Sequence, residues 1–578
     1  MSKWLMKNLR IDIDKIAQEN KISKILAIIL ANRGIETKTE IQSFLNPDIQ
    51  DMYKPEIMKD MIIAGDIIED CIKFGKKIRI VGDYDVDGIT SVYILYKILS
   101  QLDAKVDYVI PDRIQDGYGI NNFLILEAKA QGIDTIITVD NGISAFDQVK
   151  LAKDMDMRFI LTDHHDIPEK IPEADAIVNP KQTDCNYPNK LLCGAGVAYK
   201  LALHMTARMK VKTDMDEMLA MAALATICDV VDLVGENRII AIYGLNELNR
   251  TTNKGLTALI KASGLSEKKL EAYHAGFILG PTLNASGRLD SALIGLELLL
   301  SDDEISAEGT ALRLRELNAE RQELTRQGVE NIEKQIEEKL SKNDVIVAFD
   351  PEIHESVAGI VAGKIKEKYN KPTIVLTNGK NGIKGSGRSI EGYHLYKELA
   401  KCENLLEKFG GHPMAAGLSL KEENINKLRQ LLNANINMSE EDMEPKIYIE
   451  APLDPANADA FFIKDLEKLE PFGKGNPRPL FGYKGLSVLK ASVLGKNSNV
   501  LKLILRNNRG EQYDGISFSD PQLWITEARQ KYGEAELDRV LKGISNSFTI
   551  DIVYYPSINE YKGRQSIQLV ISDYRFLS

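Results

Sequence analysis

Several features that would narrow the function are scarce in this chain of 578 residues. Its five cysteines are scattered and form no CxxC pair, so we expect neither a disulfide framework nor a zinc ribbon. Basic residues are not in excess: the net charge is −11, which argues against a protein that binds nucleic acid through overall positive charge. Any site for a polyanion must therefore be a local basic groove or a metal-assisted site.

Long hydrophobic runs are also missing. Apolar runs such as ILAIIL at residues 25–30 are far too short to span a membrane. The first ten residues, MSKWLMKNLR, lack the apolar segment of a signal peptide. Together with the scattered cysteines, this pattern predicts a cytoplasmic protein without a membrane partner.

The chain is too long for a single hydrophobic core, so we expect several domains. Its composition, 44% hydrophobic and 27% charged, is typical of a globular protein. The residue pattern predicts an α/β multidomain fold. Its predicted segments are an N-terminal helical appendage (1–60), a parallel-sheet α/β core (61–304), a connecting helix (305–342), a smaller α/β domain (343–437) and a C-terminal β-barrel or sandwich (446–578).

Acidic and imidazole side chains follow the predicted strands of the core. Apolar β-rich runs alternate there with helical stretches, which is typical of a parallel sheet covered on both faces. The side chains are Asp83, Asp85 and Asp87 after one run, Asp140 after another, and His164 and His165 after a third. Because parallel strands end at the same edge of a sheet, we expect these residues to converge. If the segment 83–87 stays extended, its three acids point to one side.

This set of side chains predicts a metal centre. Asp229, at the end of a strongly apolar helix, is a further candidate, although a carboxylate there could equally cap the helix. Carboxylates with imidazoles and no thiolate favour Mn²⁺ or Mg²⁺. The set is too large for one ion, so we predict two ions roughly 3.5–4 Å apart, which suit phosphoester hydrolysis. For the acids at 83–87 taken alone, a solvated acidic loop is the alternative.

Two glycine-rich loops in the smaller α/β domain predict a phosphate-binding surface. One, at 382–389, carries Arg388, and the other, at 409–417, carries His412. Glycines let backbone N–H groups approach an anion closely, and the cationic or imidazole side chain adds hydrogen bonds. We interpret 279–292, which contains Arg288, as a polar loop, and the charged stretch from Ile305 as a solvated spacer helix.

Taken in order, the motifs resemble those of the DHH phosphoesterase superfamily. GDYDVDG, the Asp140-Asn141-Gly142 turn, TDHH and CDVVDL are similar to its four motifs, and GSGRS and FGGHPMAAG resemble its DHHA1 domain. LNASGRLDSA, LNAERQELT and PFGKGNPRPLF are similar to segments of the single-strand-specific DNA exonucleases of that superfamily. The resemblance covers nearly the whole chain, and no acid or histidine of the motifs is replaced.

The resemblance implies 5′ to 3′ degradation of single-stranded DNA to mononucleotides with two Mn²⁺ or Mg²⁺ ions, in DNA repair and recombination. It implies a DHH catalytic domain, a DHHA1 substrate-binding domain and a terminal OB-like domain that binds nucleic acid. The implied partners are single-stranded DNA, a helicase and a single-strand-binding protein. The implied metal ligands are Asp83, Asp85, Asp87, Asp140, His164 and Asp229, with Asp140 as the bridge. Catalytic roles fall to Asp85, Asp140 and His165, and His165 matches the residue that contacts the scissile phosphate. The implied phosphate-binding residues are Arg113, Arg288, Ser386, Arg388 and His412.

Three alternatives share parts of this pattern. A small-molecule phosphatase or pyrophosphatase would use the same metal core but needs only the two α/β domains. A non-catalytic replication scaffold is expected to lack acids of the first motif, all of which are present here. An oligoribonuclease stays open, because the contacts that separate RNA from DNA cannot be read from the sequence.

Overall fold

The structure is a computed structural model that describes residues 2–8, 10–113, 117, 119–380, 382–439, 441–495, 497–561 and 563–577. It forms two compact units, Met1–Asp48 with Pro445–Ser578 and Ile49–Glu444. The five-segment division predicted from the sequence is finer than this and stays a prediction. Within the described residues, no helix combines the length and apolarity needed to cross a bilayer.

The N-terminal residues form one strand and short helices. In chain order these are β1 (Lys3–Met6), α1 (Ile13–Asn20), α2 (Lys24–Asn32) and α3 (Lys38–Leu45). A capping box between Thr37 and Glu40 starts α3. The sequence predicts helices here but not the strand, because β1 pairs in parallel with Lys446–Ile449, a partner from the other end of the chain.

A parallel sheet lies at the centre of the second unit. Its elements are α4 (Met61–Phe74), β2 (Lys77–Val81), α5 (Val86–Gln101), β3 (Lys105–Val109), α6 (Asn122–Ala130), β4 (Thr135–Val139), α7 (Phe146–Asp154), β5 (Arg158–Thr162) and β6 (Ala176–Val178). The strand order is β3-β2-β4-β5-β6, with every pair parallel. The inner strands are buried apolar runs, as expected where helices cover both faces. The predicted parallel-sheet core is confirmed, and β2, β4 and β5 end at the same edge.

Helices complete this core. They are α8 (Gly194–Met209), α9 (Met215–Cys228), α10 (Gly235–Leu248), α11 (Lys254–Ala262), α12 (Ala272–His274), α13 (Gly280–Leu289) and α14 (Leu293–Leu300), and a π-helical turn (Ala275–Leu279) joins α12 to α13. The interpretation of 279–292 as a loop is wrong, since most of it is α13. Leu283 is buried there, and Gly287 packs against the carbonyl of Tyr84. Gly287 therefore allows close packing of this helix and does not form a turn.

The long charged helix is α15 (Glu304–Gln335), which a second π-helical turn (Ile336–Leu340) extends. The prediction of a solvated spacer is wrong for one of its faces. Ala307, Ala311 and Leu314 are fully buried in the core of the parallel-sheet domain, and Ile332 is buried in a second cluster against α16 (Ala358–Tyr369). The buried stripe is narrow and mostly small, so the many charges around it hide it in the sequence.

The smaller α/β domain is built around a mixed sheet. With α16, its elements are β7 (Ile346–Phe349), β8 (Thr373–Gly379), β9 (Gly382–Arg388), α17 (Leu395–Ala400), β10 (Leu406–Gly411), β11 (Ala415–Leu420) and α18 (Ile425–Asn435). The strand order is β10-β11-β9-β8-β7. The two glycine-rich segments are thus largely strands rather than loops, and their pairing sets Ser386 opposite Gly417.

The C-terminal residues form the predicted β-barrel. Its elements are β12 (Lys446–Ile449), β13 (Ala451–Pro452), α19 (Ala460–Glu467), β14 (Phe481–Leu494), β15 (Val500–Arg506), β16 (Gln512–Ser517), α20 (Pro521–Tyr532), α21 (Glu534–Lys542), β17 (Thr549–Tyr561) and β18 (Arg564–Phe576). The strand order is β13-β14-β15-β16-β18-β17, and pairing of β14 with β17 closes the sheet. The prediction of a terminal β-barrel is confirmed, because the sheet closes on itself.

Candidate active site

The acidic segment after β2 is not extended, so the condition under which its three acids would all point to one side is not met. Oδ1 of Asp85 accepts hydrogen bonds from the backbone N–H groups of Asp87 and Gly88, at 2.9 and 3.1 Å. Asp85 is therefore the N-cap of α5, and Asp87 lies in the first helical turn. An acidic cap satisfies N–H groups that a helix start leaves unpaired. This explains why α5 begins at Val86, directly after the cap.

The strand ends nevertheless bring the predicted ligands together around His164. Its Nε2 lies 3.0 Å from Oδ1 of Asp140, 3.6 Å from Oδ2 of Asp87 and 3.8 Å from Oδ2 of Asp229. Asp229 is the C-cap of α9, so the buried helix delivers its carboxylate to the edge of the sheet. Residues from four separate segments thus meet at one point.

The ligand atoms fall into groups that share Asp140 or His164. Within each group, one ligand atom from every residue lies within 4.8 Å of the others. The groups are Asp83, Asp85 and Asp140; Asp140, His164 and His165; and Asp87, His164 and Asp229. This pattern suits two neighbouring cations with Asp140 between them, and it includes all six metal ligands predicted from the sequence.

Local backbone geometry places Asp140. Its φ is 59°, a left-handed conformation that residues other than glycine seldom adopt and that clusters at functional sites. The side-chain amide of Asn141 donates to the carbonyls of Val81 and Val139, at 3.1 and 2.8 Å, and so ties the turn to the ends of β2 and β4. Gly194 leaves room for the carboxylate, since a Cβ there would lie 2.6 Å from Cβ of Asp140.

The start of α8 holds Asp87. The backbone N–H groups of Gly194 and Ala195 donate to its two carboxylate oxygens, at 2.6 and 2.7 Å. The N-terminal end of a helix also stabilises a negative charge. Sequence reasoning missed Gly194; the only signal for it is the glycine-rich GAG at the start of an apolar helix.

The charges of the cluster are unbalanced in the protein alone. Burial, together with Asp85, raises the pKa of Asp83 to about 8, and burial, together with Asp87, raises the pKa of Asp229 to about 8. Burial and the neighbouring acids also raise the pKa of Asp140. Oδ1 of Asp83 is buried without a hydrogen-bond donor among the described residues. Divalent cations with oxygen and imidazole ligands would supply the missing charge, so the residues fit Mn²⁺ or Mg²⁺.

Asp163, the acid of the TDHH motif to which the sequence analysis gives no role of its own, orients His165. Its Oδ1 lies 2.7 Å from Nδ1 of His165 and accepts the backbone N–H groups of His164 and His165, while its Oδ2 accepts that of Ile143. Burial disfavours the charged imidazole, but the hydrogen bond and charge of Asp163 outweigh it and raise the pKa of His165 to about 9. Such a carboxylate behind a functional imidazole fixes its ring. Its position directly before the two histidines was the available signal.

A cationic cavity of about 270 Å³ opens between the sheet of the smaller α/β domain and α13. Its lining includes four of the five residues predicted to bind phosphate, namely Arg113, Arg288, Ser386 and Arg388. His412 is not part of that lining. Its side chain is 62% exposed, and its Nδ1 lies 3.9 Å from Oδ2 of Asp166.

The arginines of this cavity have no carboxylate partners in the described part of the chain. Arg288 donates to the carbonyl of Ser356 at 2.7 Å, and Arg388 to Oγ of Ser386 at 3.2 Å. Burial and the nearby cations Arg113 and Arg321 lower the pKa of Arg288 to about 10. Burial and Arg113 likewise lower the pKa of Arg388. Buried cations that repel one another in a concave site favour the binding of an anion there.

The start of α16 contributes Gly359 to the same cavity. A Cβ there would lie 2.7 Å from Oγ of Ser386 and 2.9 Å from a guanidinium nitrogen of Arg388. Ala358 and Ile360 also line the cavity, so the N-terminal turn of α16 borders it. Helix N-termini bind phosphate groups through their N–H groups and dipole. Sequence reasoning missed this element, because a single glycine inside an ordinary helix pattern carries no signal.

Family models match three regions of the chain. Residues 77–227 match the model of the DHH family, N-terminal domain. Residues 342–438 match that of the DHHA1 domain, and residues 449–573 that of the RecJ OB domain. The metal cluster lies in or directly beside the first region, and most of the cavity lining lies in the second.

Similar proteins cover nearly the whole chain. The single-stranded-DNA-specific exonuclease RecJ of Bacillus subtilis (strain 168) is 37% identical over 571 residues, which is 98% of this chain and 70% of that protein. RecJ of Escherichia coli (strain K12) is 31% identical over 591 residues, 98% of either chain. The crystal structure of RecJ from Thermus thermophilus in complex with Mn²⁺ superposes with a TM-score of 0.82 at 26% identity, covering 99% of this chain and 79% of that one. A structure of the same protein with Mg²⁺ gives a TM-score of 0.76.

Proposed function

The chain belongs to the RecJ family of single-stranded-DNA-specific exonucleases, and from this we propose that it hydrolyses single-stranded DNA from the 5′ end to mononucleotides with Mn²⁺ or Mg²⁺. One observation carries the proposal. Six acidic and imidazole ligands converge at the edge of a sheet, and Arg288 links that edge to a cavity of arginines without carboxylate partners among the described residues.

The proposed division of the ligands follows the groups in the structure. Asp83 and Asp85 would hold one ion, Asp87, His164 and Asp229 the other, and Asp140 both. Bound there, the ions would neutralise negative charge on the phosphoryl group and allow a hydroxide nucleophile to form at neutral pH. Three of the carboxylates are fixed in advance: backbone N–H groups at the starts of α5 and α8 donate to Asp85 and Asp87, and Gly194 packs against Asp140.

The remaining site residues would handle the substrate. His165, held by Asp163, would hydrogen-bond to the scissile phosphate and polarise it. Arg113, Arg288, Ser386 and Arg388 would hold the terminal 5′ phosphate in the cavity. A terminal phosphate carries more charge than a diester, so the cavity would favour a strand end that carries a phosphate, which is the 5′ end in the proposed direction of degradation. The proposed contact of His412 would be with a neighbouring phosphate outside the cavity.

The proposed setting is DNA repair and recombination in the cytoplasm. The cysteines of the structure are all free, which fits a reducing compartment. A helicase and a single-strand-binding protein are proposed as partners, since a nuclease of this specificity needs separated strands. The terminal barrel would hold the strand through backbone charge and base stacking, which do not depend on sequence.

The exonuclease is favoured over the alternatives. Small-molecule phosphatases of the superfamily would not need the terminal barrel, which matches the RecJ OB domain. A non-catalytic scaffold would not need an intact ligand set, and all six ligands are in place here. An oligoribonuclease would show itself by preferring RNA.

An end-labelled digestion tests the proposal. Single-stranded DNA, duplex DNA and RNA of the same sequence are incubated with Mn²⁺, with Mg²⁺ or with chelator. We expect mononucleotides from the 5′ end of single-stranded DNA, with either metal and not with chelator. Products from the 3′ end, equal digestion of the duplex, or hydrolysis of dinucleotides alone would contradict it.

A further inference from the structure

Two exposed aromatic side chains lie on the helix that borders the metal centre. Tyr273, in α12, is 58% exposed, and Phe277, in the π-helical turn, is 72% exposed. Their rings stack with centroids 5.2 Å apart and planes 24° apart, so they present one broad aromatic surface to solvent. Single exposed apolar residues are ordinary, whereas a stacked pair of exposed rings is typical of an interaction surface.

The aromatic pair lies close to one edge of the metal cluster. Gly276, next to Phe277, packs against Ile227, where a Cβ would lie 3.3 Å from Cγ2 of that side chain. One turn later, a side chain at Gly280 would collide with the sulfur of Cys228, the neighbour of Asp229. The π-helical turn is thus packed against the end of α9 that delivers Asp229. π-helical turns are frequent at functional sites.

The same helix then passes the other metal ligands and reaches the phosphate cavity. Oδ1 of Asn284 accepts the backbone N–H of Val86, beside Asp85, at 2.9 Å. Gly287 packs against the carbonyl of Tyr84, and Arg288 lines the cavity. From Phe277 to Arg288, at 1.5 Å per residue, the helix spans roughly 16 Å. Along it, the order is aromatic pair, metal ligands, phosphate cavity.

We propose that Tyr273 and Phe277 form a stacking platform for bases on the 3′ side of the scissile phosphate. The proposal rests on the proposed function, in which the 5′ phosphate occupies the cavity and the scissile phosphate lies at the metal cluster. A strand bound in this way continues past Asp229 toward the aromatic pair. Its bases are unpaired and expose their faces, and stacking on an aromatic ring accepts any base.

The platform explains how a sequence-independent nuclease can hold the strand next to the cleavage point. Phosphate contacts fix the position of the backbone but leave the bases free to turn. Stacking on Tyr273 and Phe277 would restrict the first bases beyond the metal cluster and keep the strand in line for attack. Val230, which directly follows Asp229, is 59% exposed and adds an apolar side chain at the same end of α9.

Abasic substrates test this platform in the full-length protein. A 5′-phosphorylated oligonucleotide carries one abasic nucleotide at successive positions, and release of the 5′-terminal nucleotide is measured with Mn²⁺ under single-turnover conditions. For the wild type, we expect a loss of about tenfold at one or two positions beyond the scissile bond, the size that base stacking predicts. The double variant Tyr273→Leu/Phe277→Leu should cleave the intact strand more slowly by a similar factor and should lose sensitivity to those abasic positions.

Two controls separate the platform from damage to the site and from the function itself. On a dinucleotide whose second nucleotide is abasic, which offers no base beyond the scissile bond to stack, the double variant should match the wild type. Phe74→Leu, which removes another exposed ring near the amino end of β2 and thus far from the metal edge, should keep wild-type behaviour throughout. A double variant that retains the wild-type abasic pattern, or a wild type without any abasic sensitivity, would overturn the platform. Failure of the wild type to degrade single-stranded DNA at all would instead refute the proposed function.

Discussion

The backbone N–H of Gly194 lies 2.6 Å from Oδ2 of Asp87. The same glycine also packs against Asp140, because a Cβ in its place would lie 2.6 Å from Cβ of that residue. One residue at the start of α8 thus sets the positions of two carboxylates that belong to different segments. Its absent side chain is as important to the metal cluster as the ligands are.

Gly194→Ala should therefore reduce hydrolysis strongly while leaving the fold intact. The added methyl group must displace Asp140, and a shift of about 1 Å at a reacting centre costs on the order of a hundredfold in rate. Mn²⁺-dependent cleavage of a short 5′-phosphorylated oligonucleotide and circular dichroism measure the two effects. Gly196→Ala, on the same helix, is the matched control, because its Cβ would approach no atom more closely than the end of Leu192, at 3.2 Å. Equal rates for the two variants would contradict this role of Gly194.

Asp163→Asn should lower kcat by about tenfold to a hundredfold, the usual effect of losing a partner that orients a functional imidazole. Asparagine cannot accept all the hydrogen bonds that Asp163 accepts from His164, His165 and Ile143. The rate is measured at saturating Mn²⁺, so that weaker metal binding does not contribute. The effect should nearly vanish in a His165→Ala background. Independent, additive losses would mean that Asp163 acts through something other than His165.

Asp83→Asn should stabilise the metal-free protein, although it should weaken metal binding. Asp83 is buried among acids, and its Oδ1 has no donor among the described residues, so at neutral pH folding must either protonate this carboxyl or keep its charge among like charges, and asparagine avoids both costs. We expect a gain on the order of 1 kcal/mol, about the free energy of one unit of pKa shift, seen as a higher midpoint of thermal unfolding in chelator. The same variant should show a smaller rise in that midpoint when Mn²⁺ is added.

Asp87→Ala, in contrast, should destabilise the metal-free protein. Asp87 accepts two backbone N–H groups of α8, which alanine would leave buried and unpaired. The midpoint in chelator should fall rather than rise. If Asp83→Asn and Asp87→Ala shifted it in the same direction, the distinction between a repelled carboxylate and a hydrogen-bonded one would be wrong.

Arg388→Gln should weaken the preference for a 5′ phosphate. Losing a hydrogen bond between charged groups costs about 1.5–3 kcal/mol, so KM for a 5′-phosphorylated strand should rise about tenfold or more. KM for the same strand with a 5′ hydroxyl should change little. His412→Ala is the informative comparison, because His412 lies outside the cavity lining and should leave the phosphate preference unchanged. A loss of that preference in His412→Ala would place the terminal phosphate elsewhere.

The sequence predicted the parallel sheet and its ligands because both depend on local patterns. β2, β4 and β5 each end within two residues of an Asp. Because the carboxyl ends of parallel strands lie at one edge of a sheet, Asp83, Asp140 and His164 come together there, as expected. The N-cap role of Asp85 could have been predicted from the sequence, because an acid before an amphipathic stretch is a signal for the start of a helix. It was missed because the alternating acids resemble an extended strand.

Other features depend on contacts between distant residues and could not be predicted. The need for glycine at 194 and 359 comes from side chains more than 25 residues away, Asp140 in one case and Ser386 with Arg388 in the other. Arg288 lines the cationic cavity, but it lies in α13 and not in the loop predicted from the sequence, because its neighbouring glycine and serine normally favour turns. Tertiary packing overrides that preference where Gly287 meets Tyr84.

Deleting the terminal barrel alone should give an unstable protein, because α2 belongs to its core. Leu26, Ile29 and Leu30 are fully buried in a cluster with Phe481 and other barrel residues. Removing residues 445–578 would expose these side chains, each worth about 1.5–3 kcal/mol on burial. A shortened chain of residues 49–444 lacks both the N-terminal helices and the barrel, which together form the other unit, and it should fold by itself.

That shortened chain should separate chemistry from strand holding. It keeps the metal cluster and the phosphate cavity. Because distant, independent parts of a protein usually influence one another by no more than about 0.5 kcal/mol, kcat on short 5′-phosphorylated oligonucleotides should stay within about threefold of the full protein. Its affinity for long single strands should fall, and the dependence of binding on salt concentration should become shallower, because fewer phosphates are neutralised. Fluorescence anisotropy over a salt series measures both. Unchanged affinity and salt slope would show that the barrel does not hold the strand.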